Sequence, residues 1–598
     1  MLQQTTTYYR TVTDRTVSQL LLDYLKLEDV RYLFGIPGGG IMYLLNELRL
    51  REDEFTYIVC RHETGAAYMA DGYHRVTGGL GVVLATTGPG AVNALTGAMN
   101  AQADHSAVLT ITGEVAESYF GKGYLQQGID GTLNVDAVYQ ASVQYSAMIA
   151  SPDDFATLFT QALRDALSIP FRATHISLPV DVSNEAPSKP VAFPKSWENY
   201  RTVPKASDRA RTGRALDLLL AAKRPLIMLG NGNRFAMQGE RRDKFIAFVE
   251  RFGIPVMTSP DGKALFPENH PLSLRNYGMA GCIWPSLYIS AAGGGPAYDA
   301  LMVMGSVLGN LATGNWNTAL LPNGNGPFIQ VDADQSVIGR VFPIELGIVS
   351  ELGQFIDDLC ELAQQRQPDE AAVAERKGYI RWIRDNHAPW YDPEKRDSLA
   401  SPILPQSAMR VINEVVPAGS HIFIDCANCV GWSLNDLAID PPTQIHLSLD
   451  TGPLGFGVCA VVGGKLGAPD RTCVAITGDG AFLMHGSEVS TAVRYGIGAI
   501  WIVMDNNDLA MVSQGNAHFF PKPPEPSWTD YYKLGAPDLV AFATGLGATT
   551  YTVHDPQQLR AALTKAIGQA ELLRRPQVIV LEIDRSEVPP YYRTPPQA

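Results

Sequence analysis

Short apolar runs recur along the chain, and amphipathic helical stretches separate them. Between about residues 10 and 187 the runs are YIVC, GVVLATT, AVLTIT and HISLPV. Similar runs follow between about 208 and 365 (PLIMLG, PVMTS, ALMVMG, FIQVDAD) and between about 385 and 585 (HIFIDC, CVAIT, AIWIVM, QVIVLEI). This alternation is typical of parallel α/β layers. The pattern therefore predicts an α/β protein with three doubly wound parallel-sheet domains.

Two connecting stretches set the expected domain bounds. The first, NEAPSKPVAFPKSWENYRTVPKAS, is rich in proline and weakly patterned, so it predicts a linker. The second, PDEAAVAERKGYIRWIRDN, is charged and helical in pattern. We expect an N-terminal domain over 10–187, a central domain over 208–365 and a C-terminal domain over 385–585.

One crossover in the third domain carries polar residues at both strand ends. In ITGDGAFLMHGSEVSTAVRYGIGAIWIVMDNNDLAMV, the pattern predicts strands over 474–477 and 499–504 and a helix over 487–495. Strand-helix-strand crossovers are parallel and right-handed, so both strands end at the same edge of the sheet. Ligands of open α/β sheets bind at that edge. We therefore expect Asp479 and Asn506 to converge there.

These residues suit a metal ion and a phosphorylated ligand. The Asp479 carboxylate, the Asn506 amide oxygen and the Asp508 backbone carbonyl are hard oxygen donors of the kind Mg²⁺ prefers. Gly478 and Gly480 allow close approach of the backbone, and the amides at the start of a helix favour phosphate. Taken singly, GDG is equally a turn and DNN a strand cap. Their combination across one crossover favours a metal-diphosphate site.

Composition and charge exclude several other functions. The 598 residues carry a formal charge of -14, which opposes binding to a nucleic acid backbone. We find no apolar run long enough to span a bilayer and no secretory leader, so we expect a cytoplasmic protein with no membrane partner. The seven cysteines do not form a disulfide framework, and the pair Cys426 and Cys429 lacks further zinc ligands.

Several motifs together resemble one enzyme family. Gly-Asp-Gly followed about 27 residues later by Asn resembles the cofactor signature of the thiamine diphosphate enzymes. RHETGAAYMADGY is similar to that family's catalytic-glutamate motif, and GIPGGG and ATTGPGAVNALTGAMNA to its first two active-site loops. TGPLGFGVCAVVGGKLG resembles the segment that holds the cofactor rings. The order of segments is most similar to the acetolactate synthase group.

The resemblance implies roles for particular residues. Glu63 would hydrogen-bond N1′ of the aminopyrimidine, and the Gln126 amide would meet a substrate carbonyl; these are the two expected catalytic residues. Leu454 would wedge the cofactor rings, the Gly452 carbonyl would accept from the 4′-amino group, and Asp479, Asn506 and Asp508 would bind Mg²⁺. The remaining cofactor contacts implied are Pro37, Asn428, Cys429, Gly478, Gly480, Ala481, Leu509 and Ala510.

The chain departs from a true acetolactate synthase at three places. The Arg-Phe-Asp-Asp-Arg stretch that contacts flavin is absent from VMGSVLGNLATGNW, so FAD binding stays open. Val180 replaces a lysine, and Gly515 replaces the tryptophan that restricts the acceptor pocket. The paired histidines of pyruvate decarboxylases are absent as well, since Gln126 and Gln127 occupy that place.

The first hypothesis is a thiamine diphosphate and Mg²⁺ dependent carboligase acting on a 2-oxo acid and a carbonyl acceptor. The alternatives are a 2-oxo acid decarboxylase or a 2-hydroxyacyl-CoA lyase or oxalyl-CoA decarboxylase-like enzyme, and a catalytically silent regulatory subunit. Glu63 and Asp479 lie in different domains, and the family joins such domains across a dimer interface, so we expect a homodimer or homotetramer. The C-terminal EVPPYYRTPPQA is either an ordered lid or a frayed tail.

Overall fold

The computed structural model describes residues 8–129, 133–203, 207–294, 297–520 and 530–593. Within these ranges the chain forms three parallel sheets of six strands each, and helices flank every sheet. The central strands are buried throughout, as expected when helices cover both faces of a parallel sheet. The predicted α/β class with three parallel-sheet domains is confirmed.

The N-terminal domain begins with a strand that lies outside the main sheet. Its elements are β1 (Tyr9–Val12), α1 (Val17–Leu27), β2 (Tyr32–Gly35), α2 (Met42–Leu50), β3 (Thr56–Val59), α3 (Glu63–Thr77), β4 (Gly81–Ala85), α4 (Pro89–Ala103), β5 (Val108–Glu114), α5 (Val135–Gln140), β6 (Tyr145–Met148), α6 (Phe155–Leu167), β7 (Ala173–Pro179), α7 (Val180–Asn184) and β8 (Val191–Pro194). Strand β1 pairs antiparallel with β8, which belongs to the predicted linker. The six-stranded sheet has the order β3-β2-β4-β5-β7-β6.

The central domain has its own apolar core and a different strand order. Its elements are α8 (Arg209–Ala221), β9 (Pro225–Leu229), α9 (Gly239–Phe252), β10 (Val256–Thr258), β11 (Ser273–Asn276), α10 (Ile283–Ile289), β12 (Ala300–Met304), α11 (Asn310–Thr313), β13 (Phe328–Asp332), β14 (Leu346–Val349) and α12 (Leu352–Gln364). The order is β11-β10-β9-β12-β13-β14. The charged connection forms α13 (Glu370–Asn386).

The C-terminal domain completes the molecule. Its elements are α14 (Pro405–Val415), β15 (His421–Ile424), α15 (Asn428–Asp436), β16 (Gln444–His446), α16 (Phe456–Gly467), β17 (Cys473–Gly478), α17 (Asp479–His485), α18 (Val489–Arg494), β18 (Ile500–Asp505), α19 (Ala510–Phe519), α20 (Leu539–Gly545), β19 (Thr549–Val553), α21 (Pro556–Leu573) and β20 (Gln577–Glu582). The strands follow the order β16-β15-β17-β18-β20-β19.

The crossover between β17 and β18 differs in part from the prediction. Both strands form and pair in parallel, but the helix starts at Asp479 rather than near residue 487. It is interrupted at Gly486 and resumes as α18. An acidic residue in a first turn interacts favourably with the helix dipole, which explains the early start. Asp479 is therefore a helix residue as well as a strand-end residue.

The N-terminal and C-terminal domains share a continuous apolar core. Helices α3 and α16 pack against each other there, and two glycines allow the close approach. A β-carbon on Gly463 would clash with the Met69 carbonyl, and one on Gly72 with the Ala460 carbonyl. The central domain, in contrast, keeps a separate core.

The C-terminal segment is docked as far as it is described. The Tyr591 hydroxyl donates to the Ala427 carbonyl at 2.8 Å and accepts from the Gly431 amide at 3.1 Å. Arg593 forms an ion pair with Asp392. The C-terminal segment is therefore ordered rather than frayed as far as Arg593. Residues 594–598 lie outside the described residues. None of the described helices combines the length and apolar character needed to cross a bilayer.

Candidate active site

Asp479 lies at the carboxyl edge of the C-terminal sheet and is only 4% exposed. Its Oδ1 accepts a hydrogen bond from the Gly480 amide at 2.8 Å, and its Oδ2 accepts from the amides of Asn506 at 3.1 Å and Asn507 at 2.7 Å. The structure thus brings the two predicted strand ends into contact. Burial, together with the neighbouring Asp505 carboxylate, raises the pKa of Asp479 above the usual range of a carboxyl group. A cation would stabilise the charged form.

The turn after β18 presents further oxygen atoms. Asn507 adopts a left-handed conformation, with φ of 56°, and the Asp508 amide donates to Asn506 Oδ1 at 3.1 Å. Ser513 donates to Asp508 Oδ2 at 2.6 Å, whereas Asp508 Oδ1 is buried and has no hydrogen-bond partner among the described residues. An orphaned carboxylate oxygen is costly unless a ligand satisfies it. The side chain of Asp508 is therefore a potential metal ligand that sequence reasoning, which pointed to its carbonyl, missed.

The residues present fit a divalent cation only together with a ligand. Among the described residues, no group of three or more His, Cys, Asp and Glu side chains is placed to hold a metal ion. Two carboxylates and one amide supply part of a coordination shell, and Mg²⁺ commonly completes its shell with phosphate oxygens and water. The donor set is thus that of a metal-diphosphate site.

Most of the predicted cofactor residues line one cavity next to Asp479. The cavity residues that were predicted are Asn428, Cys429, Leu454, Gly478, Asp479, Gly480, Ala481, Asn506, Asp508, Leu509 and Ala510. Gly452 is not part of the lining but lies beside it. A β-carbon placed on Gly452 would lie 3.4 Å from the Sγ of Cys426, which does line the cavity. Asn428 Oδ1 is a second buried oxygen without a hydrogen-bond partner in the described part of the chain. The cavity therefore offers unsatisfied polar atoms from two strand ends.

Asp425 organises the floor of this cavity, and sequence reasoning missed it. Its carboxylate accepts from the amides of Cys426 at 2.9 Å, Gly455 at 2.9 Å and Val458 at 3.1 Å. Burial raises the pKa of Asp425 to about 6. These contacts tie the end of β15 to the start of α16 and hold the turn that carries Leu454. The available signal was an aspartate directly after an apolar strand.

Glu63 lies at the carboxyl edge of the N-terminal sheet, as the first residue of α3, and is 6% exposed. Asn93 Nδ2 donates to Glu63 Oε2 at 3.1 Å. A β-carbon on Gly90 would lie 3.1 Å from Glu63 Oε1, so the Gly-Pro-Gly loop packs directly on the glutamate. Asn93 orients the carboxylate and was not among the predicted site residues.

The two glutamines of the following loop have different environments. Gln126 is exposed, adopts φ of 60°, and its Oε1 accepts from Thr87 Oγ1 at 3.4 Å. Gln127 is buried and donates to the Ile129 carbonyl. Only Gln126 therefore presents its side chain to solvent next to the Gly-Pro-Gly loop.

The loop GIPGGG, predicted as the first active-site loop, lies beside Thr86 and Thr87 of the Gly-Pro-Gly loop. Pro37 is exposed, and two of the three glycines after it are confined by neighbouring threonines. A β-carbon on Gly38 would clash with Thr86, and one on Gly40 with Thr87. The loops that carry Pro37, Glu63 and Gln126 are thus assembled at one edge, although none of these three residues lines the cavity at Asp479.

Within one chain, the residues around Glu63 and those around Asp479 do not share the cavity at Asp479. Glu488 links them instead. This fully buried carboxylate accepts from the amides of Arg61 at 2.9 Å and His62 at 3.0 Å, directly before Glu63. Thr491 Oγ1 also donates to it at 2.6 Å. Burial raises the pKa of Glu488. The residue lies soon after α17, so it joins the helix that begins with Asp479 to the start of α3.

Comparison with known families identifies this arrangement. Residues 15–133 match the family description "Thiamine pyrophosphate enzyme, N-terminal TPP binding domain", residues 212–359 the central domain of the same family, and residues 425–582 its C-terminal TPP binding domain. The chain belongs to the thiamine pyrophosphate enzymes. The predicted family is confirmed. Each matched region falls in a different sheet domain, although the first match ends before β6 and β7 and the third begins just after β15.

Curated relatives narrow the group within the family. The chain is 29% identical to a candidate acetolactate synthase large subunit of Mycobacterium tuberculosis, over 92% of this chain and 96% of the relative. It is 28% identical to the acetolactate synthase large subunit of Corynebacterium glutamicum (92% and 83%) and 26% identical to acetolactate synthase isozyme 3 large subunit of Escherichia coli (91% and 90%). These similarities confirm the prediction of an acetolactate synthase-like enzyme dependent on thiamine diphosphate.

Proposed function

We propose that this enzyme is a thiamine diphosphate and Mg²⁺ dependent carboligase that joins a 2-oxo acid to a carbonyl acceptor. The observation that carries the proposal is the buried Asp479 carboxylate among strand-end amides, in a cavity with the unsatisfied Asp508 oxygen. When bound, the cofactor supplies a carbon nucleophile that no ordinary side chain provides. The protein binds it, orients it and controls protons around it.

The C-terminal residues hold the charged end of the cofactor. Asp479, Asn506 and Asp508 would supply oxygen atoms to Mg²⁺, and the backbone amides at the start of α15 and α17 would bind the diphosphate. Leu454, held by the turn that Asp425 anchors, supports the rings. This division of roles places the metal and the phosphates at the end of β17 and β18.

The N-terminal residues control the proton and the substrate. Glu63 keeps a proton at the pyrimidine ring, and its hydrogen bond from Asn93 sets the direction of the carboxyl group. The exposed Gln126 offers an amide to the substrate carbonyl, where a hydrogen-bond donor stabilises developing negative charge. Gln127, which is bound to Ile129, keeps the loop in place.

We further propose that the complete active site forms between two chains. The cavity at Asp479 is lined by C-terminal residues alone, so the partner's N-terminal edge would supply Glu63 and Gln126. Exposed apolar side chains next to each half-site, Val92 and Met99 on α4 and Met484 on α17, support an interface there. A homodimer is the smallest assembly with two complete sites, and a tetramer would repeat it.

A complementation experiment tests this arrangement. Glu63→Gln and Asp479→Ala chains are co-expressed, and mixed dimers then contain one undamaged site if the sites are shared between chains. We expect restored turnover, approaching about a quarter of wild-type activity with random pairing. If each chain carried its own site, every site would keep a defect and the mixture would stay inactive.

The product distinguishes the carboligase from its alternatives. The protein is incubated with thiamine diphosphate, Mg²⁺ and pyruvate, with and without an aldehyde, and products are followed by proton NMR. Acetolactate or a mixed hydroxyketone supports the proposal, whereas aldehyde release alone supports a decarboxylase. Turnover only with acyl-CoA substrates supports a lyase, and no turnover of any substrate by protein that binds the cofactor supports a regulatory subunit.

Flavin is not part of the proposed function. The cavity at the carboxyl edge of the central sheet has a partly apolar lining. Its acidic side chains, among the described residues, are Asp104, Asp261, Asp332, Glu351 and Asp450, against one guanidinium, that of Arg234. Such a wall disfavours a dinucleotide diphosphate. Purified protein should therefore lack the visible absorbance of bound FAD.

We also propose a cytoplasmic location. All seven cysteines are free, and six of them are buried in the structure. Free thiols are typical of reducing compartments. Fractionation of cells that express the protein at its native level would test this.

A further inference from the structure

Gly515 stands where the family resemblance places a tryptophan that restricts the acceptor pocket. It is buried on α19, and a β-carbon placed on it would lie 3.0 Å from the hydroxyl oxygen of Tyr592. The space next to Gly515 is therefore occupied by a residue from a distant part of the chain. The docked C-terminal segment supplies a phenol where the helix itself would otherwise supply an indole.

The Tyr592 ring is held in a defined position. It stacks on His518, one helical turn after Gly515, with ring centroids 4.1 Å apart and planes inclined by 9°. Phe519 contacts it edge-on at 5.8 Å. The segment is anchored on both sides, because Gln514 Nε2 donates to the Glu587 carbonyl at 2.9 Å and Arg593 pairs with Asp392. The ring is thus preorganised, yet Tyr592 remains 37% exposed.

Helix α19 connects this ring to the cofactor cavity. Met511 and Val512, one turn before Gly515, line the cavity at Asp479. Gln514 Oε1 accepts from Asn428 Nδ2 at 2.9 Å, and Asn428 lines the same cavity. Tyr592 therefore packs against α19 one turn beyond the residues that line the cavity at Asp479.

Tyr592 also lines a polar recess. It has a volume of about 280 Å³, and its polar side chains belong to Lys395, His518, Ser586, Glu587 and Arg593. The charges are compensated locally: Lys395 Nζ lies 2.8 Å from Glu587 Oε2, and Arg593 is paired with Asp392. The recess consequently offers hydrogen-bonding groups without a free charge of either sign among these residues.

We infer that Tyr592 is a specificity-determining residue whose hydroxyl selects an uncharged, hydroxylated carbonyl compound as the acceptor. This inference rests on the proposed carboligase function. No hydrogen bond of the Tyr592 hydroxyl is found within the described residues, so it can bind a hydroxyl group of the acceptor while the recess accommodates the rest. A site built around such a polar contact discriminates against an acceptor that lacks the hydroxyl.

The test is a competition within a single reaction. Glyceraldehyde and propanal are offered together at equal concentration to the holoenzyme with pyruvate as donor, and the ratio of the two ligated products is measured. The ratio is independent of enzyme concentration and of the donor steps. For wild-type protein we expect the hydroxylated product to predominate.

Tyr592→Phe removes only the hydroxyl and keeps the stacked ring. We expect the ratio to fall about five- to tenfold, the effect of one hydrogen bond. Gly515→Ala pushes the hydroxyl away and should lower the ratio in the same direction, but it should have no further effect in the Tyr592→Phe background, because coupled residues are not additive. Tyr551→Phe, which removes another hydroxyl of the same domain, is the matched control and should leave the ratio unchanged.

An unchanged ratio in Tyr592→Phe would overturn the inference, as would an equal fall in Tyr551→Phe. Failure of the proposed function has a different result. In that case wild-type protein with bound cofactor would form neither ligated product, and all variants would be equally inactive.

Discussion

The N-terminal and C-terminal sheets have the same connectivity but carry different chemistry at their edges. With strands counted from the first in each sheet, both follow the order 2-1-3-4-6-5. At the N-terminal edge, the buried Glu63 lies between loops of glycine and threonine. The C-terminal edge carries several aspartates among amide groups, and two of them, Asp479 and Asp508, line the cavity. Equal topology thus provides equivalent positions at the two edges, and the side chains at those positions decide which chemistry each edge supports.

The central sheet provides a third case. Its order, counted in the same way, is 3-2-1-4-5-6. This is a common nucleotide-binding arrangement, yet most of the charged side chains that line the cavity at its edge are carboxyl groups. The fold of a domain therefore does not establish its ligand.

The largest effect is expected from removing the Asp479 carboxylate at the edge of the C-terminal sheet. Asp479→Ala deletes the carboxylate and leaves three backbone amides without their acceptor. We expect loss of Mg²⁺-dependent thiamine diphosphate binding in isothermal titration calorimetry, and loss of turnover. Asp470→Ala, which removes an exposed carboxylate from the same domain, should bind normally. Normal cofactor binding by Asp479→Ala would contradict the assignment.

Removal of the Glu63 carboxyl group at the N-terminal edge should leave the proposed metal site at Asp479 intact. Glu63→Gln keeps the shape of the side chain but cannot exchange a proton, so kcat should fall about 10²- to 10⁴-fold. Cofactor affinity, measured in the same calorimeter, should change much less than it does in Asp479→Ala. Glu52→Gln, at an exposed glutamate of the same domain, is the control. Turnover within about tenfold of wild type would refute the catalytic role of Glu63.

The packing of the two similar domains can be disturbed without touching either edge. Gly463→Ala would force a methyl group against the Met69 carbonyl between α16 and α3. Overpacking of this kind costs about 1–3 kcal/mol, so the melting temperature should fall by several degrees in calorimetry. Gly568→Ala on α21 is the matched control, because nothing lies within 4 Å of its added carbon. Equal melting temperatures for both variants would show that α3 and α16 can separate freely.

The smallest expected effect is a pH-dependent change in melting temperature, and it concerns Asp332 at the carboxyl edge of the central sheet. Burial raises the pKa of Asp332 to about 6. Between about pH 4 and pH 6 the folded state keeps a proton on Asp332 that the unfolded state has lost, so the contribution of Asp332 to stability decreases as pH rises through this range. Asp332→Asn does not titrate. Its melting temperature should therefore match wild type near pH 4 and exceed it by a few degrees at pH 7; a constant difference across this range would contradict the raised pKa.

Sequence reasoning worked best where neighbouring residues carry the information. The apolar strands around Glu63 and Asp479 are continuous in sequence, and a crossover connection has one favoured hand. The convergence of Asp479 and the turn at Asn506 was therefore predictable. The start of α17 was not, because Gly478 and Gly480 flank Asp479 and glycine disfavours a helix.

Residues that act across the fold escaped prediction. Glu488 contacts Arg61, 427 positions away in the chain, and nothing in the surrounding sequence signals that contact. Asn93 reaches Glu63 from another helix. Asp425 could have been noticed as a strand-end aspartate, but two of its three amide partners, Gly455 and Val458, reach it only when α16 packs beside β15.

The sequence by itself determined the parallel α/β layers, the family and most residues of the cofactor cavity, because these depend on local periodicity and on motifs within one crossover. Only the tertiary structure decided that Gln126 rather than Gln127 is exposed, that the Asp508 carboxylate lacks a partner, and that Tyr592 fills the space beside Gly515. Each of these depends on which atoms meet after distant segments pack, and burial and hydrogen bonding are properties of that packed state.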